Sequence, residues 1–196
     1  TNLDWEVIGT NADNTVVDFD ADGGIKCTTK TMTNDQVILQ PHQGTKQSGF
    51  KGYTWGTHRE SRFQFSVKTA ASIADMIFWL GLKLTSTGVK GTDLDEAFVR
   101  YESGVNGGKL EGCYAINNVD TAADSGIVVA TATVYRVTIV IGSDRKAKFY
   151  VNGALVKTSE ALTNTINLIP FIGVQTKTTA AKVLTARAGT MSRKAA

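Results

Sequence analysis

In Arg62-Phe63-Gln64-Phe65-Ser66-Val67-Lys68 every second residue is apolar, the period of a strand that buries one face. Met76 to Leu84 keeps the period with a heavier filling. Phe78, Leu80, Leu82 and Leu84 share one face, while Ile77, Trp79, Gly81 and Lys83 share the other. Tyr135, Val137, Ile139 and Ile141 form a third row, opposed by Arg136 and Thr138. Helical spacing is nearly absent; Ala70–Met76 offers at most one short turn. The runs predicted as strands are Trp5–Ile8, Val16–Asp20, Gly24–Thr29, Gln36–Leu39, Arg62–Lys68, Ile77–Thr85, Ala97–Glu102, Leu110–Ile116, Gly126–Val129, Val134–Ile141, Lys146–Val151, Ala154–Thr158, Leu168–Val174 and Lys182–Ala188. Gly, Asn, Asp and Ser separate them.

Two turns are specified by their chemistry. Asn152-Gly153 sits between Phe149-Tyr150-Val151 and Ala154-Leu155-Val156, and both central residues of a type I′ hairpin turn need positive φ. Asp20-Ala21-Asp22-Gly23-Gly24 marks a second hairpin between Val17 and Ile25. The chain has 19 glycines but only 2 prolines, so glycine carries most of the reversals. This many short strands predict an all-β fold, a two-sheet antiparallel jelly-roll sandwich. With no linker, repeat or low-complexity stretch, one domain over residues 1–196 is expected.

Charge narrows the partners. The net charge is +3, from 21 basic and 18 acidic residues, too weak and dispersed to predict nucleic acid as a partner. The basic Ser192-Arg193-Lys194 reads as a solvated tail. Cys27 and Cys113 lack CxxC spacing, and His42 and His58 lie near neither, so no metal site and no cofactor are expected. A disulfide between the cysteines and two inert thiols both stay open. Thr1-Asn2-Leu3-Asp4-Trp5 does not read as a signal peptide, and no apolar run reaches membrane-spanning length, so a soluble chain without a membrane partner is expected.

A family likeness rests on Ala147-Lys148-Phe149-Tyr150-Val151-Asn152-Gly153, which follows the long apolar Val134–Ile141 and the charged turn Ser143-Asp144-Arg145 and precedes Leu168–Gly173. In this order and with "FYVNG" as its one sharp motif, the chain resembles the back half of concanavalin A-like, laminin-G-like lectin domains over about residues 60–190. The resemblance implies that Val183–Ala188 returns beside the first strand in the same sheet. A looser likeness, to lectin-like jelly rolls of tailed-phage virion proteins, rests on Phe78-Trp79-Leu80-Gly81-Leu82, Phe98-Val99-Arg100-Tyr101 and Pro170-Phe171-Ile172-Gly173.

Glucan-cleaving enzymes of this fold place E-x-D-x-E on one strand, two of the carboxylates doing nucleophile and acid work. The nearest segment here is Asp93-Leu94-Asp95-Glu96-Ala97. Asp93 and Asp95 share a parity, the third position is Ala97, and Glu96 points the other way with Phe98, Arg100 and Glu102. The segment reads as a polar loop, and no catalytic residue is assigned. His42 and His58 have no Ser or Cys partner for a nucleophilic triad. Asp18-x-Asp20-x-Asp22-Gly23 opens like a calcium loop, but its twelfth position holds Thr29 instead of the bidentate Glu, which favours a turn.

Surface recognition is what remains. Trp79 faces away from Leu80 and Leu82, and Gln64, Arg100 and Glu102 are placed with it on an exposed sheet where a ring stacks on a sugar. The alternative for Trp79 is packing under a loop or against a neighbouring subunit. The basic, aromatic stretch from Gly44 to Arg59, with Trp55 and His58, has the composition of a protein contact. The resulting expectation is a non-enzymatic virion structural protein: a decoration, fibre or other outer component bound to other virion subunits in symmetric array. The alternative is a carbohydrate-binding module on a glycan surface, secreted or cell-surface associated.

Overall fold

A computed structural model of the chain describes residues 5–41, 55–90 and 93–194. The strands are β1 (Trp5–Ile8), β2 (Val17–Phe19), β3 (Ile25–Thr28), β4 (Gln36–Pro41), β5 (Trp55–Gly56), β6 (Ser61–Thr69), β7 (Met76–Lys83), β8 (Glu96–Glu102), β9 (Lys109–Ile116), β10 (Val119–Val128), β11 (Val134–Ile141), β12 (Lys146–Val151), β13 (Ala154–Ala161), β14 (Asn167–Thr176) and β15 (Val183–Arg193). They form two antiparallel sheets, the jelly-roll sandwich that the alternation predicts. Sheet A runs β1-β4-β14-β7-β8-β9-β10, with the two-residue β5 on β14; sheet B runs β13-β12-β11-β6-β15-β3-β2. Among the described residues no helix is long and apolar enough to cross a membrane.

The turns act as their residues dictate. Asn152 and Gly153 hold φ 51° and 88°, and the pairing of Val151 with Ala154 closes the β12–β13 hairpin. Asn117 and Asn118 make the same two-residue reversal at φ 51° and 64°. That turn lets β10 start at Val119, well before the predicted Gly126. The polar run Val119–Asp124 hides a strand because β10 is the edge of sheet A and its exposed side takes polar residues. The last strand also departs from expectation. β15 lies between β6 and β3 in sheet B, whereas β1 is the edge of sheet A, so first and last strands do not share a sheet.

Between the sheets lies one large core, with Phe63, Phe65 and Val67 of β6, Phe78, Leu80 and Leu82 of β7, and Val137, Ile139 and Phe149 from β11 and β12. A second apolar cluster covers the far side of sheet A: Ile38, Ile77, Trp79, Phe98, Cys113 and Phe171. All eight residues of β7 are therefore buried, since a segment after Lys83 folds back over the sheet. Cys27 belongs to the first cluster and Cys113 to the second; they are free thiols, and burial pushes each up to about 12. A thiol held neutral and covered is a poor nucleophile. In the native chain neither cysteine will react with a water-soluble disulfide reagent at pH 8, and denaturant will release both; prompt native reactivity of either would contradict this burial.

Candidate functional site

The far side of sheet A is where Trp79, Arg100 and Glu102 are predicted, and all three are there. It is closed. Trp79 is fully buried, and its indole Nε1 donates to the Ser86 carbonyl at 3.1 Å. The loop runs so close above the ring that a Cβ on Gly88 would stand 2.5 Å from it. Of the two alternatives for Trp79, packing under a loop is what the structure shows. Lys83 is also sealed in, 2.7 Å from Glu96, donating to the Val89 carbonyl at 2.8 Å and lying 4.2 Å above the Phe98 ring.

The acidic segment is buried, not a polar loop. Asp93 accepts from the Leu84 and Thr85 amides at 2.8 and 3.0 Å, anchoring the start of the covering loop. Asp95 accepts from the Asn117 and Thr163 amides at 3.3 and 2.6 Å, tying the β9–β10 turn to the connection between β13 and β14. Each of the three carboxylates serves a different structural partner. At the rim, Arg100 pairs with Glu102 and Glu111, Lys177 with Glu102 at 3.0 Å, and Lys90 with Glu111 at 3.5 Å. Desolvation raises the Glu102 carboxyl, but the Lys177 hydrogen bond and the Arg100 charge outweigh it and hold the group below the usual carboxylate range. In this network three cations share two glutamates, and each cation has a carboxylate partner.

The remaining predicted residues separate. Gln64 is not beside Trp79 but on the outer face of sheet B. Trp55 is buried in the main core from β5, so it is not a surface contact, because its apolar ring fills the space beside Leu168. His58 is exposed just after it. His42 and most of the Gly44–Arg59 stretch lie outside the described residues. Asp18, Asp20 and Asp22 serve Lys26, the Thr185 hydroxyl and Lys68 in turn.

Around Gln64 there is an open site that the sequence reading missed. Arg62, Gln64, Arg136, Thr138, Val140, Tyr150 and Gly153 line a shallow groove of about 290 Å³ on the outer face of β6, β11 and β12. Register fixes the layout. Thr138 stands opposite both Gln64 and Tyr150, so these three make one polar row across the strands. Val140 stands opposite both Arg62 and Lys148, placing a cation on either side of it. The Gln64 Oε1 accepts from Arg62 at 2.7 Å and from Thr138 at 3.1 Å, which leaves its amide nitrogen without a partner among the described residues. Arg136 lies against the Asn152-Gly153 turn, whose Asn152 Oδ1 accepts the Arg136 amide at 2.9 Å. Two larger recesses, of about 520 and 530 Å³, are less suited to recognition. One is an apolar cleft between the sheets beside Trp5, Phe65 and Met191; in the other, Asp13 and Asp35 are already bonded to Lys30 and Asn11.

No family model matches the sequence, and neither does any curated protein. Solved structures do match, and they define the class: a jelly-roll sandwich of the concanavalin A type. An alginate lyase from Corynebacterium sp. superposes with a TM-score of 0.65 at 13% identity, over 97% of this chain and 94% of that one. The Bacillus licheniformis β-glucanase gives 0.63 at 11%, over 98% and 92%. The carbohydrate-binding module CBM66 from Bacillus subtilis gives 0.57 at 9%, over 96% and 94%. These comparisons correct the expectation of a non-enzymatic chain, because lyases and a glucanase are built on this scaffold over nearly its whole length. The carboxylate set and the nucleophilic triad on which that expectation rests are both hydrolytic, whereas a lyase breaks its bond by elimination, which needs positioned acid and base groups and not a pair of carboxylates. The three structures named are carbohydrate-active or carbohydrate-binding proteins, and none of them is a virion subunit.

Proposed function

We propose that this chain recognises a glycan across the outer face of sheet B. The observation that carries the reading is the row Gln64–Thr138–Tyr150 at the base of an open groove: an amide, a hydroxyl and a phenol in line across three strands. Pyranose rings present hydroxyls along their edges and C–H groups on their faces, so such a row supplies donors and acceptors beside one amphipathic ring. The strands fix the spacing, so little ordering entropy is lost on binding. Carbohydrate-active and carbohydrate-binding proteins of the same fold support the reading.

Tyr150→Ala and Gln64→Ala test it. On an array of soluble plant, algal and bacterial polysaccharides, each variant should lose about tenfold or more in affinity for whatever the native chain retains, the cost of about 1.4 kcal/mol. Both sites are partly exposed, so unfolding midpoints should stay near the native value. Equal retention by native chain and variants would move the ligand elsewhere.

A further inference from the structure

We infer that the ligand of this groove is an acidic polysaccharide, held through its carboxylate or sulfate groups by Arg62, Arg136 and Lys148. The inference rests on the glycan reading above and adds the chemical class. Across five strands the outward positions around the groove are Ser192 and Thr190 on β15, Arg62 and Gln64 on β6, Val140, Thr138 and Arg136 on β11, Lys148 and Tyr150 on β12, and Thr158 and Leu155 on β13. They include three cations and no anion.

Many cations elsewhere on the two sheets are paired. On the same sheet Lys26 pairs with Asp18 at 3.6 Å and Lys68 with Asp22 at 2.7 Å; at the rim of sheet A, Arg100, Lys90 and Lys177 each pair with Glu102 or Glu111. Arg136 and Lys148 meet no carboxylate among the described residues, and Arg62 is bonded only to the neutral Gln64. Three cations without a carboxylate partner therefore stand close together around one open groove.

Their spacing suits a polymer with repeated charges. Arg62 and Lys148 flank Val140 from the two neighbouring strands, about 10 Å apart at the backbone. Arg136 lies four residues along β11 from that line, about 14 Å away, with the polar row between. A guanidinium takes a carboxylate or sulfate through two parallel N–H bonds, and an ammonium binds as a point charge. Hydroxyls from Ser192 and Thr190 on β15 and from Thr158 on β13 flank the cations on either side, within reach of sugar hydroxyls. A nucleic-acid strand would want successive rings to stack on, and the groove lining holds one, Tyr150, half-buried.

The test uses the whole chain and four probes at low and high salt: polygalacturonate, a sulfated galactan, uncharged dextran and a single-stranded oligonucleotide. Polygalacturonate or the sulfated galactan should bind best, weaken on raising salt, and lose about tenfold with Arg62→Gln and again with Arg136→Gln. Lys146→Gln, removing a cation already paired with Glu160, should change nothing. Dextran binding as tight as that of the acidic polymers and indifferent to the arginines overturns the acidic class and leaves the glycan reading standing. Oligonucleotide binding that matches or exceeds the polysaccharides overturns it in favour of nucleic acid. Retention of none of the four, with no hit on the wider array, ends both readings.

Discussion

Lys83→Met will lower the stability of this chain by about 3–5 kcal/mol, because it leaves the Glu96 carboxylate in the interior without its counter-charge. Both side chains are inaccessible, and the ammonium also holds the Val89 carbonyl and lies over the Phe98 ring. Removing both charges is a different experiment. In Lys83→Met/Glu96→Leu neither of the two positions buries a charge, and the two apolar chains join the neighbouring Trp79–Phe98 cluster, so most or all of the loss should return. Urea denaturation of the two single variants and the double gives the coupling directly. A Lys83→Met loss below about 1 kcal/mol would mean that water reaches Glu96 and the covering loop does not seal the face.

Much of the sandwich is legible in the chain because the period of two reports which face is buried, strand by strand. The rows at Arg62–Lys68 and Val134–Ile141 appear where the alternation puts them. The period fails where burial is not one-sided. β7 is buried on both faces, so the alternation assigns Trp79 correctly to the side away from Leu80 but cannot say what covers it. β10 is an exposed edge and carries Val-Asp-Thr-Ala-Ala-Asp, a composition that reads as loop. The acidic segment misleads for a related reason. Asp93 and Asp95 look solvated in sequence, yet each is buried because backbone amides converge on it, from the covering loop on Asp93 and from the β9–β10 turn and the β13–β14 connection on Asp95.

The groove was hidden by topology, not by composition. Its sequence signature is a cation two residues before a polar side chain on three strands: Arg62-x-Gln64, Arg136-x-Thr138 and Lys148-x-Tyr150. Each pair alone is an ordinary solvent-facing edge. Their meaning appears only when β6 and β11, far apart in sequence, are known to be neighbours with Gln64 opposite Thr138. The β11–β12 adjacency is local, through a short charged turn, and was within reach of the sequence. Long-range pairing is not encoded in any one strand's periodicity, so the sequence alone sets Gln64 beside Trp79, Arg100 and Glu102, which lie on the other sheet.

Trp79→Ala carries the second large effect, and it separates the closed face of sheet A from the open face of sheet B. Were Trp79 a sugar platform, its truncation would remove binding and leave the fold intact. The structure predicts the reverse. The ring is fully buried, seated over Gly173 and under Gly88, in a cluster with Phe98, Phe171 and Cys113. Its loss should cost about 3–5 kcal/mol, since neither strand can move inward to refill the space without breaking its ladder. It also releases the Ser86 carbonyl and so loosens the loop above. Cys113 shares that cluster, so its thiol should become reactive in the native variant while Cys27, in the other core, stays protected. Glycan binding at the Gln64–Thr138–Tyr150 row should survive wherever the variant is folded. A Trp79→Ala chain with an unchanged unfolding midpoint and no glycan affinity would return the ligand to sheet A.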